Sequence, residues 1–188
     1  MKYYNLLEDM SDRMRWRWHV GEILLPDDTE PLLDVGIRLD NGRPLRADVT
    51  HIGYVLDFCR TSFGVPIATK ALADAIKSVA NSDVQCLPIT ISGQTGMMVL
   101  NALRLICCID ERRSEFLKFA EDDPVRPDLA GQYRQVTRLV LNRNAIPADV
   151  HFFRIMYWEV ALIVSEVVKD AMERVGCYGA EFVELEMA

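Results

Sequence analysis

A chain of 188 residues, half of them hydrophobic, has the length of one ordinary domain and enough apolar material to bury a sizeable core. Its 28 acidic residues against 21 basic ones leave a net charge of -7, so most of the surface repels phosphate backbones and nucleic acid is not an expected partner. The same field draws in a cationic protein, raising encounter rates without specifying a site.

The N-terminal run Met1-Lys2-Tyr3-Tyr4-Asn5-Leu6-Leu7-Glu8-Asp9 lacks the basic head and unbroken apolar stretch of a secretory leader. The most apolar stretch, Met97 to Ile109, is interrupted by Asn101 and Arg104 and is too short to cross a bilayer. A cytoplasmic protein with no membrane partner is therefore expected. Residues 1–64 mix short apolar runs with turn formers, namely Pro26-Asp27-Asp28, Pro31, Asp40-Asn41-Gly42 and Pro44, and read as an irregular, β-rich segment. Trp16 and Trp18 alternate with Arg15, Arg17 and His19, the period-two pattern of a strand with one aromatic face.

From residue 65 the pattern changes. Leu72, Ala73, Ile76, Val79 and Ala80 fall at helical spacing behind Thr69, a candidate N-cap, and predict a helix ending near Asn81. Asp83 to Ser92 alternates apolar and polar residues, turns at Gly93-Gln94-Thr95-Gly96 and resumes from Met97 to Cys108, which predicts a hairpin. Pro88 cannot donate to a ladder and marks an edge or irregularity there. A short helix is expected over Glu111 to Ala120, then a polar loop from Glu121 to Asp128, then a strand from Tyr133 to Leu141. Phe152 to Ile155 reads as a short strand. Trp158 then leads into the second principal helix, whose stripe is Val160, Val164, Val167, Val168, Ala171, Met172 and Val175. Lys169 with Glu173 and Asp170 with Arg174 are its i,i+4 pairs, and Gly176 its stop. Ala180 to Glu186 ends the chain as a strand. No internal repeat shows at the level of sequence. The expectation is one α+β domain over residues 1–188. Its helix-hairpin-strand-helix core spans 65–188, with a mainly antiparallel sheet and two principal helices packed on it.

Catalytic patterns are absent. His19, His51 and His151 lie far apart, and the five cysteines, Cys59, Cys86, Cys107, Cys108 and Cys177, include no C-x-x-C pair. They read as reduced thiols, and Cys107 and Cys108 as neighbours on opposite faces of a strand. No metal site and no cofactor are expected. A triad of Cys59 or Ser114 with His151 and an aspartate, or acid/base work by Asp110 and Glu111, is drawn only by assembling distant residues, and Asp110 reads more simply as a cap. Two acidic clusters, Asp27, Asp28 and Glu30 in the early loop and Glu121, Asp122 and Asp123 in the later one, are candidate docking surfaces for a basic partner.

Met1-Lys2-Tyr3-Tyr4, Asp83-Val84-Gln85, Asn101, Cys108-Ile109-Asp110 with Glu111 and Ser114, Tyr133-Arg134, Phe153-Arg154 and Ile163-Val164-Ser165-Glu166 follow one another in an order and spacing that runs nearly end to end. In this the chain resembles a bacterial family, formerly a domain of unknown function, of immunity proteins of polymorphic toxin systems. The resemblance implies a non-enzymatic cytosolic protein that binds and neutralises a cognate toxin, encoded as a rule beside it, and it supplies no catalytic residues. Two other functions stay open on the residues alone: a small enzyme that reverses a toxin's modification or acts on a small molecule, and an assembly module, with homo-oligomerisation possible in either case.

Overall fold

Two five-stranded sheets with two helices against their inner faces form the frame of the computed structural model, which describes residues 1–11, 16–40 and 42–188. In chain order the strands are β1 (Tyr3–Glu8), β2 (His19–Val20), β3 (Leu45–Ala47), β4 (Val49–His51), β5 (Phe58–Arg60), β6 (Pro66–Thr69), β7 (Val84–Ile91), β8 (Gln94–Ala102), β9 (Leu105–Ile106) and β10 (Glu115–Lys118). They continue with β11 (Tyr133–Arg138), β12 (Val140–Leu141), β13 (Phe152–Ile155), β14 (Trp158–Ser165), β15 (Ala180–Glu184) and β16 (Glu186–Met187). The helices are α1 (Lys70–Ala80) and α2 (Glu166–Arg174). Antiparallel pairing dominates, as the α+β pattern predicts, but it is divided between two sheets of order β3-β7-β8-β6-β5 and β15-β1-β14-β13-β9.

Each sheet is built on the same unit. A hairpin, β5-β6 or β13-β14, runs straight into a helix, and the helix crosses one strand to return as β7 or β15, parallel to the strand it left. The crossed strand is β8 in the first half and the N-terminal β1 in the second. The registers coincide residue for residue. Phe58 pairs with Ala68 one position before the N-cap Thr69, and Phe152 with Val164 one position before the N-cap Ser165. Thr69 N donates to Asp57 O at 2.8 Å, and Ser165 N to His151 O at 2.9 Å. Thr69 does cap α1 by position, although its hydroxyl donates weakly to Asp57 Oδ1, at 3.5 Å, instead of accepting from the helix. The chain thus contains an internal structural repeat. It escapes the sequence because only a few positions, Phe58-Cys59-Arg60 and Phe152-Phe153-Arg154 among them, keep the same type of residue.

Alternation along the strands then fills three cores. Phe58, Ala68, Leu100 and Ala102 of one sheet and Leu6, Phe152, Leu162 and Val164 of the other face inward, meeting Leu72 and Ile76 of α1 and Val168 and Met172 of α2. The outer face of the first sheet, with Cys59, Ile67, Ile89 and Val99, is covered by the N-terminal segment through Trp18, Ile23 and Leu33. The outer face of the second, with Phe153, Ile155 and Ile163, is covered by Cys108, Leu141, Ile146 and Val150. With both faces covered, the strands read as nearly continuous apolar runs.

That burial explains the main departures from expectation. Trp158 to Ser165 is the central strand β14 and not the start of a helix, because Ile163 and Val164 pair with both β1 and β13 and the run Ala161 to Val164 is buried on both faces. Its helical spacing of valines arises by chance within an unbroken apolar run, and α2 begins only at Glu166. Residues 111–120 hold a turn and then β10, paired with β11, instead of a helix. Trp16 and Trp18 do not share a face, since Trp18 is buried and Trp16 exposed; Arg15, with Asn41 of the 40–42 turn, lies outside the described residues. The β7-β8 hairpin is present, turning at Ser92-Gly93 with positive φ at both. Pro88 sits just before the stretch of β7 that pairs with β3, where its missing N–H costs no ladder bond on that side. Lys169 pairs with Glu173 at 2.7 Å, whereas Arg174 turns back to the carbonyl of Asp170.

Candidate functional site

The candidate groups for chemistry are dispersed. Cys59 is buried and burial pushes its thiol up to about 12. Ser114 Oγ exchanges bonds with the Val140 backbone, 3.2 Å to its O and 3.0 Å from its N. His151 Nδ1 lies 3.0 Å from Ser165 Oγ, inside the frame, with Ser165 fully buried. Asp110 accepts from Arg112 N at 2.9 Å as the cap of a turn. Glu111 accepts from Lys118 Nζ and from Tyr133 Oη, each at 2.6 Å; these two bonds, the lysine's the larger, hold its carboxyl below the usual range. The fold brings His19 and His51 together edge to face, 5.4 Å between ring centres, through the β2-β4 pairing. Among the described residues no three His, Cys, Asp or Glu side chains are placed to hold a metal ion, and no helix is long and apolar enough to cross a membrane.

Half of the residues of the acidic clusters are engaged at home. Asp27 pairs with Arg43 at 2.8 Å and accepts from Thr29 Oγ1, and Asp28 pairs with Arg46. Asp123 accepts from the backbone N–H groups of Val125 and Arg126, which lower its carboxyl and shape the loop. Glu30, Glu121 and Asp122 are exposed.

Several residues that carry the family resemblance turn out to pin the frame. Asp83, fully buried at the end of α1, accepts from Arg104 Nε at 3.2 Å, Ser82 Oγ at 3.1 Å and the backbone N–H of His151 at 2.8 Å, so it ties the first half to the second. Gln85 exchanges two bonds with the backbone of Leu39, and Asn101 donates to Ile37 O and Gln85 Oε1, fastening the covering segment to the hairpin.

The concavity lies where the two halves meet. A cleft of about 710 Å³ is lined by residues 30–34, 60 and 63–65 of the first half and by 119, 126, 129, 132–134, 154 and 157–160 of the second. On its wall are Arg60 and Arg154, the equivalent arginines of the two hairpins. Arg60 donates to the carbonyls of Leu6 and Val160, and Arg154 to that of Glu159. Neither forms an ion pair with a described residue, and the Nε of each is buried without a partner. Arg154 is only 4% exposed. Burial lowers both guanidinium groups, Arg60 to about 10, with the charge of Arg154 adding to the effect on Arg60. Arg126 and Arg134 lie further out, near Asp128 and Asp123 respectively. Exposed apolar side chains, Leu32, Phe63, Tyr157 and Val160, stand around the opening. Of the residues singled out in the sequence, Glu30 and the resemblance positions Tyr133, Arg134 and Arg154 reach this cleft. Arg60 was visible only as the repeat of Phe-x-Arg ahead of a helix.

The model of the Immunity protein family (Imm11) matches residues 5–187, and the chain belongs to that family. No curated protein matches it in sequence.

Proposed function

We propose that the protein is an immunity protein that binds a cognate toxin effector in the cytosol and neutralises it by direct contact, with the cleft between the two halves as the centre of the contact. Family membership over nearly the whole chain supports the immunity role. The observation that carries the location is the cleft itself, in which exposed Leu32, Phe63, Tyr157 and Val160 surround the half-buried Arg60 and the buried Arg154. Binding energy at protein interfaces concentrates in such places, where a few anchors enter a desolvated centre and surrounding contacts exclude water. The acidic loops around Asp27 and Asp122 then contribute long-range attraction for a basic toxin surface, not the anchoring contacts, because Asp27, Asp28 and Asp123 already have partners within the chain.

The test is co-expression with the product of the neighbouring gene. Cells making both are expected to grow where cells making the toxin alone do not, and the two proteins to co-purify. Phe63→Ser together with Val160→Ser, both exposed, is expected to leave folding intact and to weaken the complex at least tenfold. Protection without any physical complex would refute the proposal.

A further inference from the structure

We infer that the paired arginines Arg60 and Arg154 form an anchoring site for an acidic side chain, an aspartate or glutamate carried on a projecting segment of the partner protein. This rests on the proposed binding role and names the chemistry of the contact. A buried guanidinium normally has a carboxylate beside it, because removal of a charge from water is otherwise uncompensated. Here two such groups line one cleft with only backbone carbonyls as acceptors and with both Nε–H groups unused. They come from matching positions of the repeat, so the duplication that builds the frame also places two positive charges on the same wall.

A carboxylate entering the cleft that both arginines line accepts charge-assisted bonds from guanidinium N–H groups and supplies the missing counter-charge. Nearby acids partly offset the arginines: Glu8 raises Arg60, and Asp34 and Glu159 both raise Arg154. That offset favours a singly charged carboxylate over a doubly charged phosphate. The apolar rim of Leu32, Phe63, Tyr157 and Val160 fits the body of a protein segment around the acid, where a free small anion would leave it bare. The protein is acidic overall, yet its anchoring contact is cationic.

The test uses the whole protein with 15N-labelled arginine, titrated with the capped tripeptide acetyl-Gly-Glu-Gly-amide, its Gln counterpart and inorganic phosphate. The Nε–Hε resonances of Arg60 and Arg154, assigned with R60K and R154K, are expected to shift and saturate with the Glu peptide at a concentration at least tenfold below any response to the Gln peptide. No saturable shift, or an equal response to both peptides, overturns the inference. Saturation by phosphate at tenfold lower concentration than the Glu peptide overturns the assigned occupant. In toxin binding, Arg154→Met is expected to lose at least a hundredfold in affinity while its melting temperature stays at or above that of the unaltered protein. If Arg154→Met binds within twofold of the unaltered protein, the anchoring site is wrong and the immunity role stands. If the unaltered protein binds no toxin, that role fails and the peptide titration alone decides the site.

Discussion

The two halves of the molecule share a unit and differ in how it is completed. In the first, the strand crossed by the helix is β8, the next segment of chain, and the sheet closes locally through the β7-β8 hairpin. In the second it is β1, which arrives from the N-terminus and pairs with both β14 and β15. One half is therefore assembled from contiguous sequence and the other only when the chain's ends meet. The second sheet, completed by β1, therefore holds the fold's most distant pairing, and the cleft lies where this sheet meets the first half.

The two halves meet under the tightest steric constraint at Gly179, where the segment between α2 and β15 crosses β5. Its φ is +102°, and a Cβ there would stand 2.4 Å from Phe58 O. Gly179→Ala is expected to cost about 3 kcal/mol or more, measured by urea unfolding, because strain and a backbone clash add. Gly131→Ala, also at positive φ but with open space around it, is expected to cost only about 1–2 kcal/mol.

Next in size is Asp83→Ala, which removes the tie between α1 and the backbone of His151 and leaves Arg104 without its partner. A loss of about 2–3 kcal/mol is expected, in the same assay. The arginine pair sharpens the comparison through opposite signs. Arg60 bonds carbonyls of β1 and β14, across the junction, whereas Arg154 bonds only within its own hairpin. Arg60→Met is expected to destabilise by about 1–2 kcal/mol and Arg154→Met to be neutral or stabilising by about 1 kcal/mol in thermal melts, since relief of an uncompensated buried charge outweighs one bond.

The thiols give a smaller, chemical contrast. Burial pushes Cys59, Cys108 and Cys177 up to about 12, while Cys107 is exposed. Under native conditions near neutral pH, Cys107 is expected to react with iodoacetamide first, and Cys107→Ser to remove that fast phase. Smallest is the acid limb. Glu111 is depressed in the folded state, so its contribution is present above its unfolded value of about 4.3 and is lost as pH falls through the lower folded value. Because its side chain is half exposed, Glu111→Gln is expected to flatten that limb of a pH-stability profile by only a few tenths of a kcal/mol.

The sequence showed what local pattern can show. Thr69 to Ala80 as a helix, the hairpin around Ser92-Gly93 and the strand at Phe152 follow from periodicity and turn chemistry that neighbours reinforce. Ala161 to Val164 misled because an apolar run buried on both faces carries no period, and only the pairing of Ile163 and Val164 with β1, more than 150 residues away, decides it. Residues 115–118 misled for a different reason: largely exposed, they become a strand only through their pairing with β11. The acidic loops were legible as composition, but their partners Arg43 and Arg46 were not. The cleft was least legible of all, since it needs Arg60 and Arg154 to be recognised as equivalent, and two Phe-x-Arg strings separated by some 90 residues are too short to announce a repeat without the register that the sheets supply.

Backbone hydrogen exchange of the protein, alone and in complex with the toxin proposed to bind it, tests whether the junction between the halves is the binding surface. New protection is expected to concentrate in residues 30–34, 60–65, 126–134 and 157–160. Protection confined to the far surfaces, around Asp27 and Arg43 or along the exposed side of α2, with the cleft segments exchanging as before, would contradict it.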